Sequence, residues 1–193
     1  MDPIEEFRAL AAQAQAVDRS RLPDPTAMSL APVGADGAPD VRIVLLKGVD
    51  ERGFVFYTNL RSRKGRELAA VPRAALCFYW PALDVQIRVE GMVEPVSDAE
   101  ADAYFASRAR ESQVGAWASS QSETLASMDE LRERVKEIEQ RYAGAPVPRP
   151  PHWSGRRVRP IRIEVWHAGA YRLHERRVFE RDGNDWSMRL LGP

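Results

Sequence analysis

Two parts of the chain have the alternating apolar and polar positions of β-strands, and the part between them has helical spacing. From Thr26 to Val96 the sequence is rich in β-branched and aromatic residues, interrupted by Gly, Asp and Pro. A helix from Ser62 to about Ala70 breaks this series. The predicted strands are Ala27–Val33, Val41–Lys47, Gly53–Thr58, Ala74–Trp80 and Val85–Val96.

Helical patterns mark the N-terminus and the centre of the chain. The first residues have the apolar spacing of a short amphipathic helix. Further on, Ser97-Asp-Ala-Glu100 and Ser127-Met-Asp-Glu130 have the form of a capping box, which satisfies the free N–H groups of a helix start. We therefore predict a helical insertion over about 97–143.

The C-terminal part returns to strands after a stretch rich in proline. Residues 145–151 read Ala-Pro-Val-Pro-Arg-Pro-Pro, which suits a stiff connector and neither a helix nor a central strand. Strands are expected at Arg162–His167, Tyr171–Arg181 and Trp186–Leu191. This order predicts a mainly β protein, a single domain over 1–193, with an antiparallel, Greek-key-like sheet or barrel and flanking helices.

Composition excludes several classes of protein. Lys plus Arg and Asp plus Glu number 28 each, and a net charge of zero disfavours bulk binding of nucleic acid. No apolar run approaches the ~20 residues of a membrane span, and no signal-peptide core opens the chain. Cys77 is the only cysteine, which excludes disulfides and cysteine-based zinc sites. We expect a cytoplasmic protein that binds neither nucleic acid nor membrane.

Three segments place cationic side chains in an ordered way. The first, Arg42-Ile-Val-Leu-Leu-Lys47, has four aliphatic residues between two charges. It predicts a strand buried on both faces, with Arg42 and Lys47 pointing to opposite sides. The alternative is a core strand whose charged ends only extend into solvent.

The second segment leads from a strand into a helix. Ser62 is placed to cap this helix, and Arg63 and Lys64 fall in its first turn. Cations there oppose the helix dipole, so an anion should offset them, and free N–H groups, a hydroxyl, Arg and Lys together suit a phosphate. The alternative is a solvated basic turn.

The third segment is Arg172-Leu-His-Glu-Arg176 in the tail. If it is a strand, Arg172, His174 and Arg176 lie on one face, a row suited to a planar anionic ligand. A solvated face is the alternative. The three histidines lack metal-ligand spacing, and the sequence has no nucleophile elbow, P-loop or dinucleotide-binding glycine motif. Two phosphate-suited segments without a metal or nucleophile indicate a phosphorylated cofactor and a phosphorylated substrate, with the chemistry supplied by the cofactor.

These segments, in their order and spacing, resemble the pyridoxine/pyridoxamine 5′-phosphate oxidase family, whose members are FMN enzymes with a split β-barrel. The resemblance covers nearly the whole chain. It is carried by Asp24-Pro-Thr-Ala-Met28, Arg42–Lys47, Phe56-Tyr-Thr-Asn59, Ser62-Arg-Lys64, Gln86, Tyr104-Phe-Ala-Ser-Arg108, Ser112-Gln-Val-Gly-Ala-Trp117, Gln121-Ser122, Pro150-Pro-His-Trp153, Glu164-Val-Trp166 and Arg172–Arg176.

The resemblance implies a role for each matched residue, and a homodimer in which the second subunit completes the flavin site. The implied FMN contacts are Arg42, Ile43, Val44, Leu45, Leu46, Lys47, Tyr57, Thr58, Arg63, Lys64, Gln86, Gln121, Ser122, Trp166 and Arg176. The implied substrate contacts are Lys47, Tyr104, Arg108 and Ser112 at the phosphate, with the catalytic pair Arg172 and His174 over the pyridine ring. No metal is implied.

The activity implied is oxidation of pyridoxine or pyridoxamine 5′-phosphate to pyridoxal 5′-phosphate, with O₂ reduced to hydrogen peroxide. The alternatives are a related flavin oxidase of another planar anion, as in phenazine biosynthesis, and a barrel that binds flavin or pyridoxal phosphate without turnover. Three departures from the family pattern are Val165 in place of an aromatic residue, Ser154-Gly-Arg-Arg157 in place of Gly-Gly-aromatic-Arg, and a start too late for the N-terminal arm that often closes over the substrate.

Overall fold

The computed structural model describes residues 2–183 and 185–193, which form a strand-rich structure with helices around it. The helices are α1 (Pro3–Ala16), α2 (Arg63–Ala70), α3 (Asp98–Ala106), α4 (Arg110–Ala118) and α5 (Met128–Arg141). The strands are β1 (Ala27–Pro32), β2 (Arg42–Leu45), β3 (Gly48–Asp50), β4 (Gly53–Asn59), β5 (Arg73–Trp80), β6 (Val85–Pro95), β7 (Trp153–His167), β8 (Glu175–Asp182) and β9 (Asp185–Leu191). Within the described ranges, no helix has the length and apolar character needed to cross a bilayer.

The strands form one curled antiparallel sheet with the order β2-β1-β5-β6-β7-β4-β3. Strand β7 is 15 residues long and pairs with β6 along most of its length. Its first part also pairs with β4 and its last part with β8, which in turn carries β9. Because one long strand joins both halves, the sheet closes into a half-barrel with helices at its flanks. The predicted mainly β, antiparallel split barrel is confirmed.

A β-bulge accommodates Pro160 within strand β7. The register of β6 against β7 shifts between Glu90 and Gly91, next to Pro160, which has no N–H to donate. A side chain at Gly91 would lie 2.1 Å from the carbonyl oxygen of Arg159, so the close approach of the two strands requires glycine. The predicted strand Arg162–His167 was therefore too short at its start, because the ladder continues back to Trp153.

Two apolar clusters support the functional region. Helix α1 inserts Phe7 into the barrel, where its ring centroid lies 4.8 Å from that of Phe54 and 4.9 Å from that of Phe78. A smaller cluster lies between α3, α4 and the start of β7, and its buried members are Phe105, Val114, Val147 and Trp153. The second cluster fixes the helical insertion on the outside of the barrel.

Helix starts follow the sequence closely. The Ser62 hydroxyl accepts a hydrogen bond from the Gly65 N–H, and the Ser127 hydroxyl accepts one from the Glu130 N–H. Ser97 and Glu100 form a complete capping box at the start of α3. The predicted helical stretch contains three helices, α3, α4 and α5.

Two strand predictions were wrong. The segment 41–47 is not buried on both faces: only Arg42–Leu45 is a strand, and Ile43 is 63% exposed. The reason is that β2 is an edge strand, paired only with β1 among the described strands.

The tail strand does not begin at Tyr171, because Tyr171 and Arg172 have φ of 55° and 64°, which places them in a left-handed turn before β8. The Arg172-His174-Arg176 row on one strand face therefore does not exist.

A buried arginine attaches α3 to the barrel. Arg157 on β7 is 3% exposed, and its guanidinium lies 2.5 Å from Asp50 at the end of β3 and 2.9 Å from Glu100 in α3. Near the same helix end, Arg149 lies 2.8 Å from Asp98 and 2.5 Å from Asp102. These pairs hold the acidic first turns of α3 and thus set where its C-terminal end points.

Candidate functional site

A cavity of about 480 Å³ opens where β2, β4, the start of α2 and the helical insertion meet. Strands β2 and β4 supply one wall, and α3, α4 and the loop after α4 supply the other. Its lining residues are Ile43, Val44, Leu45, Lys47, Tyr57, Thr58, Asn59, Lys64, Tyr104, Arg108, Ser112, Gly115, Ala116, Ser119, Gln121 and Trp153. Eleven of these residues also belong to the predicted site (Ile43, Val44, Leu45, Lys47, Tyr57, Thr58, Lys64, Tyr104, Arg108, Ser112 and Gln121).

Lys64 brings a positive charge to the start of α2. Its Nζ donates hydrogen bonds to Gln121 Oε1 at 2.8 Å and to Ser62 Oγ at 3.3 Å. Burial lowers the pKa of Lys64, and the positive charge of Arg42 lowers it further. An anion bound beside Nζ would offset both effects.

Arg63 and Arg42 are already paired with carboxylates. Arg63 Nε lies 3.1 Å from Asp40 and 2.9 Å from Glu67, and Arg42 contacts the same two carboxylates. Neither arginine lines the cavity. The sequence placed Arg63 and Lys64 at one phosphate position, and the structure separates them: only Lys64 faces the cavity.

Arg108 follows the end of α3 and lines the cavity without a carboxylate partner within the described part of the chain. Its guanidinium carbon lies 4.9 Å from the ring centroid of Trp153 and 5.6 Å from that of Phe105. One terminal nitrogen, Nη1, is buried with no hydrogen-bond acceptor. Burial lowers the pKa of Arg108. This guanidinium is thus a desolvated cation with a free donor.

Aromatic rings form the wall next to Arg108. The ring centroids of Tyr57 and Tyr104 are 4.0 Å apart with planes 19° from parallel, and Trp153 lies 5.2 Å from Tyr57 at 10°. The Tyr57 hydroxyl donates to the carbonyl oxygen of Glu100 at 3.4 Å, and burial, with the Glu100 charge second, raises the pKa of Tyr57. These flat rings next to cations suit a ligand that is both planar and anionic.

A second group of predicted site residues lies away from the cavity. Gln86, Trp166 and Arg176 face one another in register across β6, β7 and β8. The His174 ring lies 4.7 Å from that of Trp166, and its Nδ1 accepts a hydrogen bond from the Gly169 N–H at 3.2 Å. Arg176 donates to the buried Glu164 at 2.8 Å. None of these residues lines the cavity of its own chain.

The other predicted residues occupy three different places. Arg172 is exposed in the left-handed turn before β8. Leu46 packs against the barrel core, and its N–H donates to Thr26 at 2.9 Å. Ser122, with φ of 70°, lies on a separate cavity of about 220 Å³ that Gln121 also lines.

The cavity contains residues to which the sequence gave no role, and Trp153 is the most important. It belonged to a motif of the resemblance, but nothing in its local sequence places it against Arg108, because that contact depends on how α3 packs on β7. Cys77 lies on β5 outside the cavity, and burial raises the pKa of its thiol, which disfavours a nucleophilic thiolate.

The donor set favours an organic anion over a metal. Across residues 2–183 and 185–193, no group of three or more His, Cys, Asp or Glu side chains could hold a metal ion. The cavity instead combines Lys47, Lys64 and Arg108 with hydroxyl groups and aromatic faces. These three cations lie on different elements, and Arg108 has a free buried donor, an arrangement that fits a cofactor phosphate and a substrate phosphate.

Comparisons with known proteins assign the chain to a family. Residues 14–142 match the family model described as pyridoxamine 5′-phosphate oxidase. Residues 153–193 match the model described as the pyridoxine 5′-phosphate oxidase C-terminal dimerisation region, which supports a dimer. The chain is 62% identical to the pyridoxine/pyridoxamine 5′-phosphate oxidase of Myxococcus xanthus (strain DK1622), with 100% of this chain and 92% of that protein covered. For the enzyme of Anaeromyxobacter dehalogenans (strain 2CP-C) the values are 55%, 100% and 96%.

Solved structures agree in fold. The crystal structure of PhzG from Burkholderia lata 383, in complex with tetrahydrophenazine-1-carboxylic acid, has a TM-score of 0.92 and 34% identity and covers 100% of this chain and 93% of that one. A pyridoxamine 5′-phosphate oxidase-related, FMN-binding protein from Nostoc punctiforme has a TM-score of 0.77 at 17% identity, over 100% and 99% of the two chains. The chain belongs to the pyridoxamine 5′-phosphate oxidase family.

Proposed function

We propose that the protein oxidises pyridoxine or pyridoxamine 5′-phosphate to pyridoxal 5′-phosphate with FMN as cofactor and O₂ as the final oxidant, which becomes hydrogen peroxide. The observation that carries this proposal is a single cavity in which Lys64 and Arg108 offer cationic donors from two separate elements. Two phosphorylated molecules need two such positions. The names of relatives that are 62% and 55% identical support the same reaction.

Lys64 is the residue of this chain best placed to hold the FMN phosphate. It lies in the first turn of α2, where free backbone N–H groups and the helix dipole also favour an anion. The flavin ring would lie along β2, against Ile43, Val44 and Leu45. Tyr57, Thr58 and Gln121 line the same cavity. When bound, FMN supplies the hydride acceptor and the route of the electrons to O₂.

Arg108, Lys47, Tyr104 and Ser112 would hold the substrate phosphate. All four line the cavity, and two cations with two hydroxyls match a small dianion. The phosphate is remote from the carbon that reacts, so this set serves to position that carbon. Because these residues do not touch the reacting atoms, their loss should raise KM more than it lowers kcat.

We propose that Gln86, Trp166 and Arg176, with Arg172 and His174, complete the cavity of the partner subunit in a homodimer. Gln86, Trp166, Arg176 and His174 form a group away from the cavity of their own chain, and Arg172 is exposed in the turn before β8. Arg172 and His174 would face the pyridine ring there and act as the catalytic pair. The exposed apolar side chains of β2, such as Ile43, are a surface that such a dimer would cover.

One alternative has a specific observation in its favour. PhzG, whose structure holds tetrahydrophenazine-1-carboxylic acid, is 34% identical to this chain. That ligand carries a carboxylate and no phosphate, whereas the proposed B6 substrates carry a phosphate. The four residues proposed for the phosphate favour the B6 substrates, and a side-by-side assay of the two substrate classes separates the activities.

The reaction is tested by the visible spectrum of the purified protein without oxygen. Adding pyridoxamine 5′-phosphate should bleach the flavin absorbance, and admitting O₂ should restore it with release of hydrogen peroxide. A protein that keeps its flavin oxidised under excess substrate would rule out this activity. Recovery of colour on admission of O₂ without release of hydrogen peroxide would rule out the two-electron reduction of O₂ to peroxide.

We expect Lys64→Ala to weaken FMN binding by about 10- to 100-fold, the loss of one charge-assisted contact. Arg63→Ala is the matched control on the next residue and should change the FMN affinity less than about 3-fold, since its exposed side chain already pairs with Asp40 and Glu67. Dissociation constants come from quenching of flavin fluorescence on reconstitution. An Arg63 effect equal to that of Lys64 would contradict the assignment.

Mixed dimers test the shared site. If Lys64 and Arg176 serve the same cavity from different chains, mixing Lys64→Ala with Arg176→Ala should restore about a quarter of the sites, because half of the dimers are mixed and each has one intact site of two. Activity is read at FMN and substrate concentrations too low to load the unmixed variants. Mixing Lys64→Ala with Arg108→Ala is the control and should restore nothing, since both residues come from one chain. Equal recovery in both mixtures, or in neither, would refute the shared site.

A further inference from the structure

Trp153 supports the guanidinium of Arg108 in place of a counterion. The indole is 7% exposed at the very start of β7, and the guanidinium carbon of Arg108 lies 4.9 Å from its ring centroid. A second aromatic ring, that of Phe105, lies 5.6 Å from the same carbon. Cations are attracted to such ring faces, and more strongly where water is excluded.

Two other arginines, Arg157 and Arg149, are compensated by a different chemistry from Arg108. Arg157 and Arg149 each contact two carboxylates, so their charges are largely neutralised. Arg108 has no carboxylate partner within the described residues, and its buried Nη1 has no acceptor. A carboxylate here would repel an incoming phosphate and occupy its donors. An aromatic face stabilises the cation and leaves its charge and its N–H groups free.

The plane of Trp153 is itself fixed on several sides. The rings of Tyr57 and Tyr104 lie 10° and 9° from parallel to it, and the Phe105 ring contacts it at 70°. The Trp153 carbonyl accepts a hydrogen bond from Arg149 at 2.9 Å. Arg149 also pairs with two carboxylates of α3. It therefore fixes Trp153 and the helix that leads to Arg108 relative to each other.

We propose that Trp153 is a positioning residue for substrate phosphate recognition: its indole face orients Arg108 and replaces a counterion, so that the full guanidinium charge meets the phosphate. This inference rests on the proposed function. It adds a residue that binds no phosphate itself but sets the affinity of the residue that does.

The test compares Trp153→Leu, which removes the aromatic face, with Trp153→Phe, which keeps a smaller one. In flavin-loaded enzyme we expect Trp153→Leu to raise KM for pyridoxamine 5′-phosphate about 10-fold with kcat within about 2-fold, and Trp153→Phe to lie between it and wild type. Equilibrium dialysis of pyridoxal 5′-phosphate should show the same order of affinities, independently of turnover.

A double-mutant cycle separates an effect through Arg108 from simple loss of packing. In an Arg108→Ala background, Trp153→Leu should change KM and pyridoxal 5′-phosphate affinity by less than about 2-fold, because the group it positions is gone. The matched control is Trp186→Leu. The guanidinium carbon of Arg181 lies 5.5 Å from the ring centroid of Trp186. Trp186 lies on β9, outside the cavity, and its loss should leave KM unchanged.

The outcomes are distinct. An unchanged KM and affinity in Trp153→Leu, additive effects in the cycle, or a fall in kcat with KM constant would each overturn the positioning role. If Trp153→Leu does not fold, Trp153→Phe decides: a wild-type KM and affinity in that variant, or an equal effect of Trp153→Phe with and without Arg108→Ala, would overturn the role. If wild type itself does not oxidise pyridoxamine 5′-phosphate, the proposed function fails instead.

Discussion

An arginine withdrawn from water must be compensated, and the ways in which Arg157 and Arg108 are compensated explain much of this structure. Arg157 on the barrel is compensated by two carboxylates, Asp50 and Glu100, and the buried Glu164 contacts several arginines of neighbouring strands. These pairs hold α3 and the C-terminal strands in place. At the cavity the compensation is an aromatic face, and Arg108 keeps its charge for a ligand. A net charge of zero therefore conceals a locally cationic site.

This division connects stability with function. A buried ion pair is costly to break, but its arginine has no capacity left to bind a further anion. Across the described part of the chain, the cations of the cavity have no such carboxylate partner. Burial lowers the pKa of both Lys64 and Arg108, and a bound phosphate would offset the cost of their desolvation. Arg63 does not line the cavity, and its two carboxylate partners already offset its charge.

The sequence predicted best what depends on local chemistry. Ser62, Ser97 and Ser127 cap the helices that follow them because capping needs only residues three positions apart. Alternation failed in the tail, since no local signal showed the positive φ of Arg172.

The sequence predicted which residues line the cavity better than it predicted how they are arranged. The roles implied by the resemblance covered eleven of its lining residues, whereas the separation of Arg63 from Lys64 and the contact of Trp153 with Arg108 depend on packing between distant elements. The bulge at Gly91 that extends β7 past Pro160 is likewise a property of two paired strands, which one strand's sequence does not display.

The central claim is that an unneutralised guanidinium in this cavity recognises the substrate phosphate. It is tested most directly by kcat/KM for pyridoxamine 5′-phosphate relative to unphosphorylated pyridoxamine, in wild type and in flavin-loaded Arg108→Ala. The account predicts that the variant loses on the order of 10- to 100-fold of the preference for the phosphorylated substrate, with little change for pyridoxamine. A preference that stays at the wild-type value in the fully loaded variant would contradict it.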